Sequence, residues 1–169
     1  MRMFIGIKLS DCYNQIIDIQ NKFKKSGFIG NYTLPNNIHL TLLFLGELNF
    51  KEFDNVKSAL NKIKYPNFNI YLDKVKNFKD MLIVELRKNK KLMLLHSIIK
   101  EELTKENIYI DRRLYYPHIT LVRKTDNKYD EQIFLVHNVK EIILFSSERI
   151  NKRLTYIPKY ILKLRGNDA

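Results

Sequence analysis

The sequence predicts an α+β fold of two pseudo-symmetric lobes, each an antiparallel-rich sheet with helices on its outer face, forming a central cleft between the sheets. Three observations predict it. Runs with period-two alternation interleave with runs of helical spacing. The order strand–helix–strand–helix–strand occurs twice, over roughly 3–76 and again over 81–164. The middle strand of each half carries a His-x-Thr pair, in NIHLTLLFLG (37–46) and PHITLVR (117–123), with the histidines 79 positions apart. Repetition at a fixed spacing marks a structure built from duplicated units. Each half is too short to bury both faces of a sheet, so the expectation is one bilobal domain over residues 1–169.

The elements follow in order. MFIGIKL (3–9) reads as a strand, and DCYNQIIDIQNKFKK (11–25) as a helix capped by Ser10 or Asp11 and ended by Gly27 and Gly30. NYTLPNN leads into the strand 38–45 with the first motif. Residues 51–63 have helical spacing at Phe53, Val56, Leu60 and Ile63, and 67–76 alternate as a strand. In the second half, MLIVELR (81–87) is a strand, 91–106 a helix and 115–123 the strand with the second motif. A short helix over 129–136, the strand 139–146 and a last strand over 154–164 complete the chain.

Composition narrows the function. A 45% apolar, 28% charged chain is that of a soluble globular protein. Thirty Lys and Arg against 18 Asp and Glu leave +12, which favours an anionic partner, nucleic acid first. The plainer alternative is a lysine-rich surface that binds nothing. The lysines are scattered, so any basic surface is assembled by the fold. Cys12 is the one cysteine, which excludes an intramolecular disulfide and a thiolate metal cluster and fits a reducing compartment. The N-terminus lacks the apolar core of a secretory signal and no stretch approaches 18 apolar residues, so a cytoplasmic protein without a membrane partner is expected.

The motifs carry the chemistry. Along a strand, positions i and i+2 share a face, so His39 projects with Thr41 and His118 with Thr120. Leu40, Leu42 and Phe44 then face the other way, as do Ile119 and Leu121. If the two polar faces meet in one cleft, two imidazoles and two hydroxyls surround a common point. That set suits displacement at a phosphate. A neutral histidine takes a proton from the attacking oxygen, a protonated one delivers a proton to the leaving oxygen, and the threonines donate to non-bridging oxygens. A lone strand histidine is more often structural, but two at matching repeat positions argue otherwise. A zinc site is poorly supported, since neither motif has an adjacent carboxylate or a histidine at i+2 or i+4. No phosphate-binding glycine loop or dinucleotide fingerprint occurs. His96 and His137 are expected to be structural residues on the lobe surfaces.

These motifs resemble those of the two-histidine (2H) phosphoesterases. Over nearly its full length the chain is similar to the RNA 2′,3′-cyclic phosphodiesterases, long called 2′-5′ RNA ligases: MRMFIGIKL matches that family's start, NIHLTLLFLGEL its first motif, PHITLVRK its second, and the strand from Tyr156 to Leu164 its C-terminal one. The chain departs from the family at Tyr32, where relatives carry tryptophan and where a ring can still stack a base or line the cleft rim. Leu43 stands where a basic residue is common and is expected to share the face of His39. Tyr115 replaces a usual Phe at the rim. Arg123 is retained as a phosphate ligand, yet simple alternation turns it away from His118. The resemblance implies hydrolysis of RNA or nucleotide 2′,3′-cyclic phosphate ends to 2′-phosphates, with His118 as base, His39 as acid, Thr41, Thr120 and Arg123 on the phosphate, and no metal or other cofactor. It also implies reverse 2′-5′ ligation where two ends are held together. A monomer is expected. The alternatives are a 2′-5′ oligonucleotide phosphodiesterase and a non-catalytic RNA-binding protein.

Overall fold

The computed structural model describes residues 1–166. Its elements run β1 (Arg2–Ile7), α1 (Tyr13–Lys25), β2 (Asn31–Tyr32), β3 (Leu40–Glu47), α2 (Phe50–Asn61), β4 (Phe68–Phe78), β5 (Met81–Leu86), α3 (Lys90–Lys105), β6 (His118–Arg123), β7 (Asp130–Val139), β8 (Glu141–Ile150) and β9 (Arg153–Lys163). They form two antiparallel sheets, ordered β3-β1-β8-β9 and β2-β6-β5-β4-β7. β4 from the first half of the sequence joins the sheet of β5 and β6, while β8 and β9 from the second half join β1 and β3. Each sheet therefore draws strands from both halves. The correspondence is kept in space: β3 lies beside β1 as β6 lies beside β5.

Helix ends follow local chemistry. Asn49 caps α2 by accepting from Glu52 N–H while the Glu52 carboxylate accepts from Asn49 N–H, a reciprocal box. Asn89 accepts from Leu92 N–H at the start of α3. α1 ends at Gly27, whose φ of +78° lets the chain turn back so that Phe28 N–H reaches the Phe23 carbonyl. Its start differs from expectation. Residues Ser10–Cys12 form a short 3-10 turn with no side-chain cap, because the Asp11 carboxylate is taken by Asn138 N–H.

The predicted helix over 129–136 is a strand. Along β7, Ile133, Leu135, His137 and Val139 turn toward the core while Gln132, Phe134, Val136 and Asn138 turn away. That is period two, and the open edge of β4 supplies the partner, from Phe68 opposite Val139 to Lys76 opposite Asp130. Acidic, helix-tolerant DEQ at its start masks the alternation, and pairing with β4 overrides local preference.

One continuous core cluster joins the buried stripes of α1 (Ile16, Phe23), α2 (Val56, Leu60) and α3 (Leu95, Ile99) to one face of both sheets. The opposite faces carry the motif histidines. His96 and His137, expected on the surface, are buried. His96 stacks face to face on Tyr115 at 4.1 Å, and burial with Lys100 nearby pushes its pKa down to about 4. His137 Nδ1 accepts from Asp11 N–H at 3.3 Å. Each packs as a neutral ring. No helix among the described residues is long and apolar enough to cross a membrane.

Candidate active site

Both motif histidines are held in the same way. His39, the residue before β3, has its Nδ1 2.7 Å from the Asn37 carbonyl, and His118, the first of β6, has its Nδ1 2.7 Å from the Tyr116 carbonyl. A carbonyl only accepts, so each Nδ1 carries a proton and each neutral ring keeps Nε2 as its free basic nitrogen. His39 Nε2 lies 2.8 Å from Thr41 Oγ1, and the hydroxyl therefore donates to it in the neutral state. Thr120, the counterpart of Thr41, lies opposite Ile83 on β5, as Thr41 lies opposite Gly6 on β1.

The strands that carry the motifs meet. The Tyr115 hydroxyl donates to the Thr41 carbonyl at 2.7 Å, tying the approach to β6 directly onto β3. Thr33 donates its hydroxyl to the Thr120 carbonyl, and the buried Gln20 amide of α1 donates to the carbonyls of both Thr33 and Leu121. Asn37, also buried, donates to Leu154 O and accepts from Tyr156 N–H, so the same residue whose carbonyl orients His39 fastens β9 beside it.

Each strand departs from simple alternation at the same motif position. Ile5 faces Leu43 and Gly6 faces Thr41, leaving Leu42 as an extra residue; Leu82 faces Val122 and Ile83 faces Thr120, leaving Leu121 extra. A one-residue bulge resets which way later side chains point. Leu42 and Leu43 both enter the core, as do Leu121 and Val122. The residues that follow, Phe44 and Arg123, therefore return to the histidine face. This corrects two expectations. Leu43 does not share the face of His39, and Phe44, 61% exposed with its ring 6.1 Å from Phe4, does. The same reset turns Arg123 toward the face of His118, where its guanidinium lies 3.6 Å from Met81 Sδ. Phe44 and Arg123 each stand five residues past their histidine.

The two surroundings differ in chemistry. Around His39 lie Phe4 at 4.9 Å, Tyr156 at 5.1 Å edge-on and Phe145 at 6.3 Å, an apolar wall. Around His118 lie Tyr116, stacked at 5.1 Å, and Phe78 at 5.8 Å, with the Tyr116 hydroxyl donating to Glu85 at 2.5 Å and Lys76 at 3.5 Å from the same carboxylate. That hydrogen bond, and the lysine behind it, hold Glu85 below the usual carboxylate range. Both histidines lie below the ordinary imidazole pKa. Burial is the main cause for each; the carbonyl bonds oppose it, and the Arg123 charge lowers both further. His118 adds to the effect on His39, and Lys79 to that on His118. Arg123 and both imidazoles thus share one electrostatic environment.

The two flanking tyrosines are placed elsewhere. Tyr32 lies opposite Val122 on the core side of its sheet, its hydroxyl donating to Phe28 O and Lys24 Nζ 5.0 Å above its ring. It braces α1 and is absent from the cleft rim. Tyr115, between His96 and the Thr41 carbonyl, joins the sheets from a partly buried position. Sequence reasoning missed Asn37, Phe4, Phe78, Tyr116 and Glu85. The two carbonyl-donating positions stand two residues before each histidine, a spacing that repeats and could have pointed to Asn37 and Tyr116. Among the described residues no group of three His, Cys, Asp or Glu side chains is placed to hold a metal ion.

Known proteins share this architecture. A family model described as LigT-like phosphoesterase matches residues 7–86, which include the first motif. Among curated proteins, the chain is 31% identical to an RNA 2′,3′-cyclic phosphodiesterase of Bacillus subtilis, over 53% of this chain and 53% of that one. It is 27% identical to the protein of the same name from Thermotoga maritima, over 73% and 70%. The chain thus spans about half the length of the first relative. Among solved structures, Escherichia coli LigT superposes with a TM-score of 0.85 at 24% identity, covering 97% of each chain. A Thermus thermophilus protein does so at 0.85 and 21%, covering 99% and 100%. These structural likenesses speak to the fold. Over residues 7–86 the chain is therefore similar to the LigT-like phosphoesterases, and over nearly its full length it shares their fold.

Proposed function

We propose that this protein hydrolyses 2′,3′-cyclic phosphate ends of RNA to 2′-phosphates by acid–base catalysis between His118 and His39. The observation that supports it best is the matched tethering of the two Nδ1 atoms, which leaves both Nε2 atoms as the basic nitrogens, that of His39 accepting from the Thr41 hydroxyl, within reach of the Arg123 charge. Water attacks phosphorus while His118 Nε2 takes its proton. The bond from phosphorus to the 3′ oxygen breaks, and protonated His39 gives its Nε2 proton to that oxygen. Thr41, Thr120 and the Arg123 guanidinium hold the non-bridging oxygens, whose charge must be met as bonds rearrange. The curated relatives carry the name of this activity, and Escherichia coli LigT is known in complexes with 3′-AMP and with phosphate. The +12 charge suits a polyanionic substrate.

The test is incubation, with EDTA present, of the protein with a nucleoside 2′,3′-cyclic phosphate and with a short RNA bearing the same end. A 2′-phosphate is expected from both. A 3′-phosphate would reverse the leaving oxygen, and inertness toward both while a 2′-5′ linkage is cleaved would replace the substrate.

The pH dependence follows from the shifted pKa values. Activity needs one imidazole neutral and the other protonated, so kcat/KM is bell-shaped between the two apparent values. Both stand below the ordinary 6.5. The optimum of kcat/KM therefore lies on the acid side of pH 6.5. Because Arg123 depresses both groups, Arg123→Met moves the optimum to higher pH even as its height falls. An optimum unmoved by that change would remove Arg123 from the electrostatics of the pair.

A further inference from the structure

The histidine-bearing face of the five-stranded sheet continues beyond His118. In register across it, Glu85 lies opposite His118 and Lys74 opposite Glu85. Two residues along from Glu85, and so on the same face, Arg87 donates its backbone N–H to the Tyr71 carbonyl at 2.9 Å. Its guanidinium lies over two rings, 5.2 Å from the centre of Tyr71 and 5.8 Å from that of Phe134. The rings are 6.3 Å apart, and Asp73 pairs with the guanidinium at 3.4 Å. On β7 the neighbours Ile133 and Leu135 pack into the core, which turns Phe134 to the histidine face, 64% exposed. None of these three residues supports the fold's interior or touches the histidines.

We propose that Tyr71, Arg87 and Phe134 form a stacking platform for the bases immediately 5′ of the cyclic end, which rests on the reading that an RNA end occupies the His39–His118 site. A single exposed phenylalanine is ordinary on a protein surface. Here it is joined to a second ring by a flat cation, on the same sheet face as the reacting centre. Unpaired bases stack on aromatic rings and on guanidinium planes alike, with little regard to sequence. Adjacent strands are about 4.8 Å apart, so β6 to β7 spans about 14 Å, a distance that a short single strand covers. Lys74 and Lys76 line the path and Lys79 stands at its edge by Phe78. Asp130 and Glu85 fix the first two at 3.2 and 3.5 Å. With Arg87 these are four cations, three of them paired with carboxylates, so the track carries one net positive charge, at Lys79, and the rings rather than charge supply the platform.

The test compares kcat/KM on adenosine 2′,3′-cyclic phosphate and on a five-residue RNA with the same end, for the unaltered protein, Phe134→Ala, Phe134→Trp and Arg87→Gln. The ratio of RNA to mononucleotide values is expected to fall about tenfold in Phe134→Ala, through KM, to fall in Arg87→Gln, and to be retained in Phe134→Trp. Both positions are solvent-exposed, and circular dichroism checks that the fold persists. A ratio that is unchanged in Phe134→Ala, or a ratio near one in the unaltered protein, overturns the platform while leaving the proposed activity standing. Inertness of the unaltered protein toward both substrates overturns the activity and the platform together.

Discussion

His39→Ala and His118→Ala each lower kcat on a 2′,3′-cyclic phosphate by a factor of about 10² to 10⁴, the range that a positioned proton-transfer group contributes. Neither is expected to unfold the protein. His118 is half-buried, and among the described residues its hydrogen bond is to the Tyr116 carbonyl, which water can take over. His39 costs more to remove, because its ring packs against Phe4 and Tyr156 and bonds both Asn37 and Thr41. The double variant is expected to lose little beyond either single one, since the two act as a unit in one proton relay. A substrate with sulfur in place of the 3′ oxygen separates their roles, because a thiolate leaves without needing a proton. On that substrate His39→Ala recovers most of its loss and His118→Ala does not. The reverse pattern would exchange acid and base, and turnover that survives both substitutions would end the two-histidine mechanism. Kinetics on the two substrates, with thermal melts of each variant, supply the measurement.

How much of this was legible in the sequence depends on what each feature needs to be specified. The His-x-Thr pairs were legible because alternation is a property of a single strand, and it brings His39 with Thr41 and His118 with Thr120 whatever lies beside them. The helices were legible from spacing, as at Phe53, Val56 and Leu60, but not from their caps: Asn49 and Asn89 went unread, and the cap expected at Ser10 or Asp11 is not made. Features that depend on a partner strand were not. The extra residues at Leu42 and Leu121 are defined only by what β1 and β5 place opposite them, and those two residues decide that Phe44 and Arg123 lie on the histidine faces of their sheets. β7 read as a helix because its partner β4 lies some sixty residues earlier in the chain. His96 and His137 read as surface residues because a polar ring in an apolar run is ambiguous. Their burial is secured by Tyr115 and by Asp11, residues distant in sequence. The same holds for Tyr32, whose place depends on lying opposite Val122.

Gly6→Val should disable the protein almost as thoroughly as loss of a histidine, and by a different route. Gly6 lies opposite Thr41, and a Cβ built there sits 2.9 Å from the Leu40 carbonyl oxygen, 3.4 Å from Phe145 Cε2 and 3.5 Å from His39 Cδ2. The nearest atom is backbone and cannot rotate aside. Phe145 cannot retreat either, stacked on Phe4 at 5.0 Å within a small aromatic cluster. The strand carrying His39 must therefore move away from β1. On the other sheet the matching position is Ile83, buried opposite Thr120, so the requirement for glycine belongs to the His39 side alone. Overpacking of this kind costs about 1–3 kcal/mol, and each kcal/mol lowers Tm by about 2–4 °C in a chain of this size. Activity is expected to fall further than stability does, because a displacement of about 1 Å in a reacting group can cost about 100-fold. Gly6→Ala grades the effect, since its single methyl already meets the Leu40 carbonyl oxygen at 2.9 Å and valine adds two further carbons to that contact. Urea unfolding and kcat measured on both variants decide the matter. A folded Gly6→Val protein with unaltered kcat would show that the position of His39 is not set by its contact with β1.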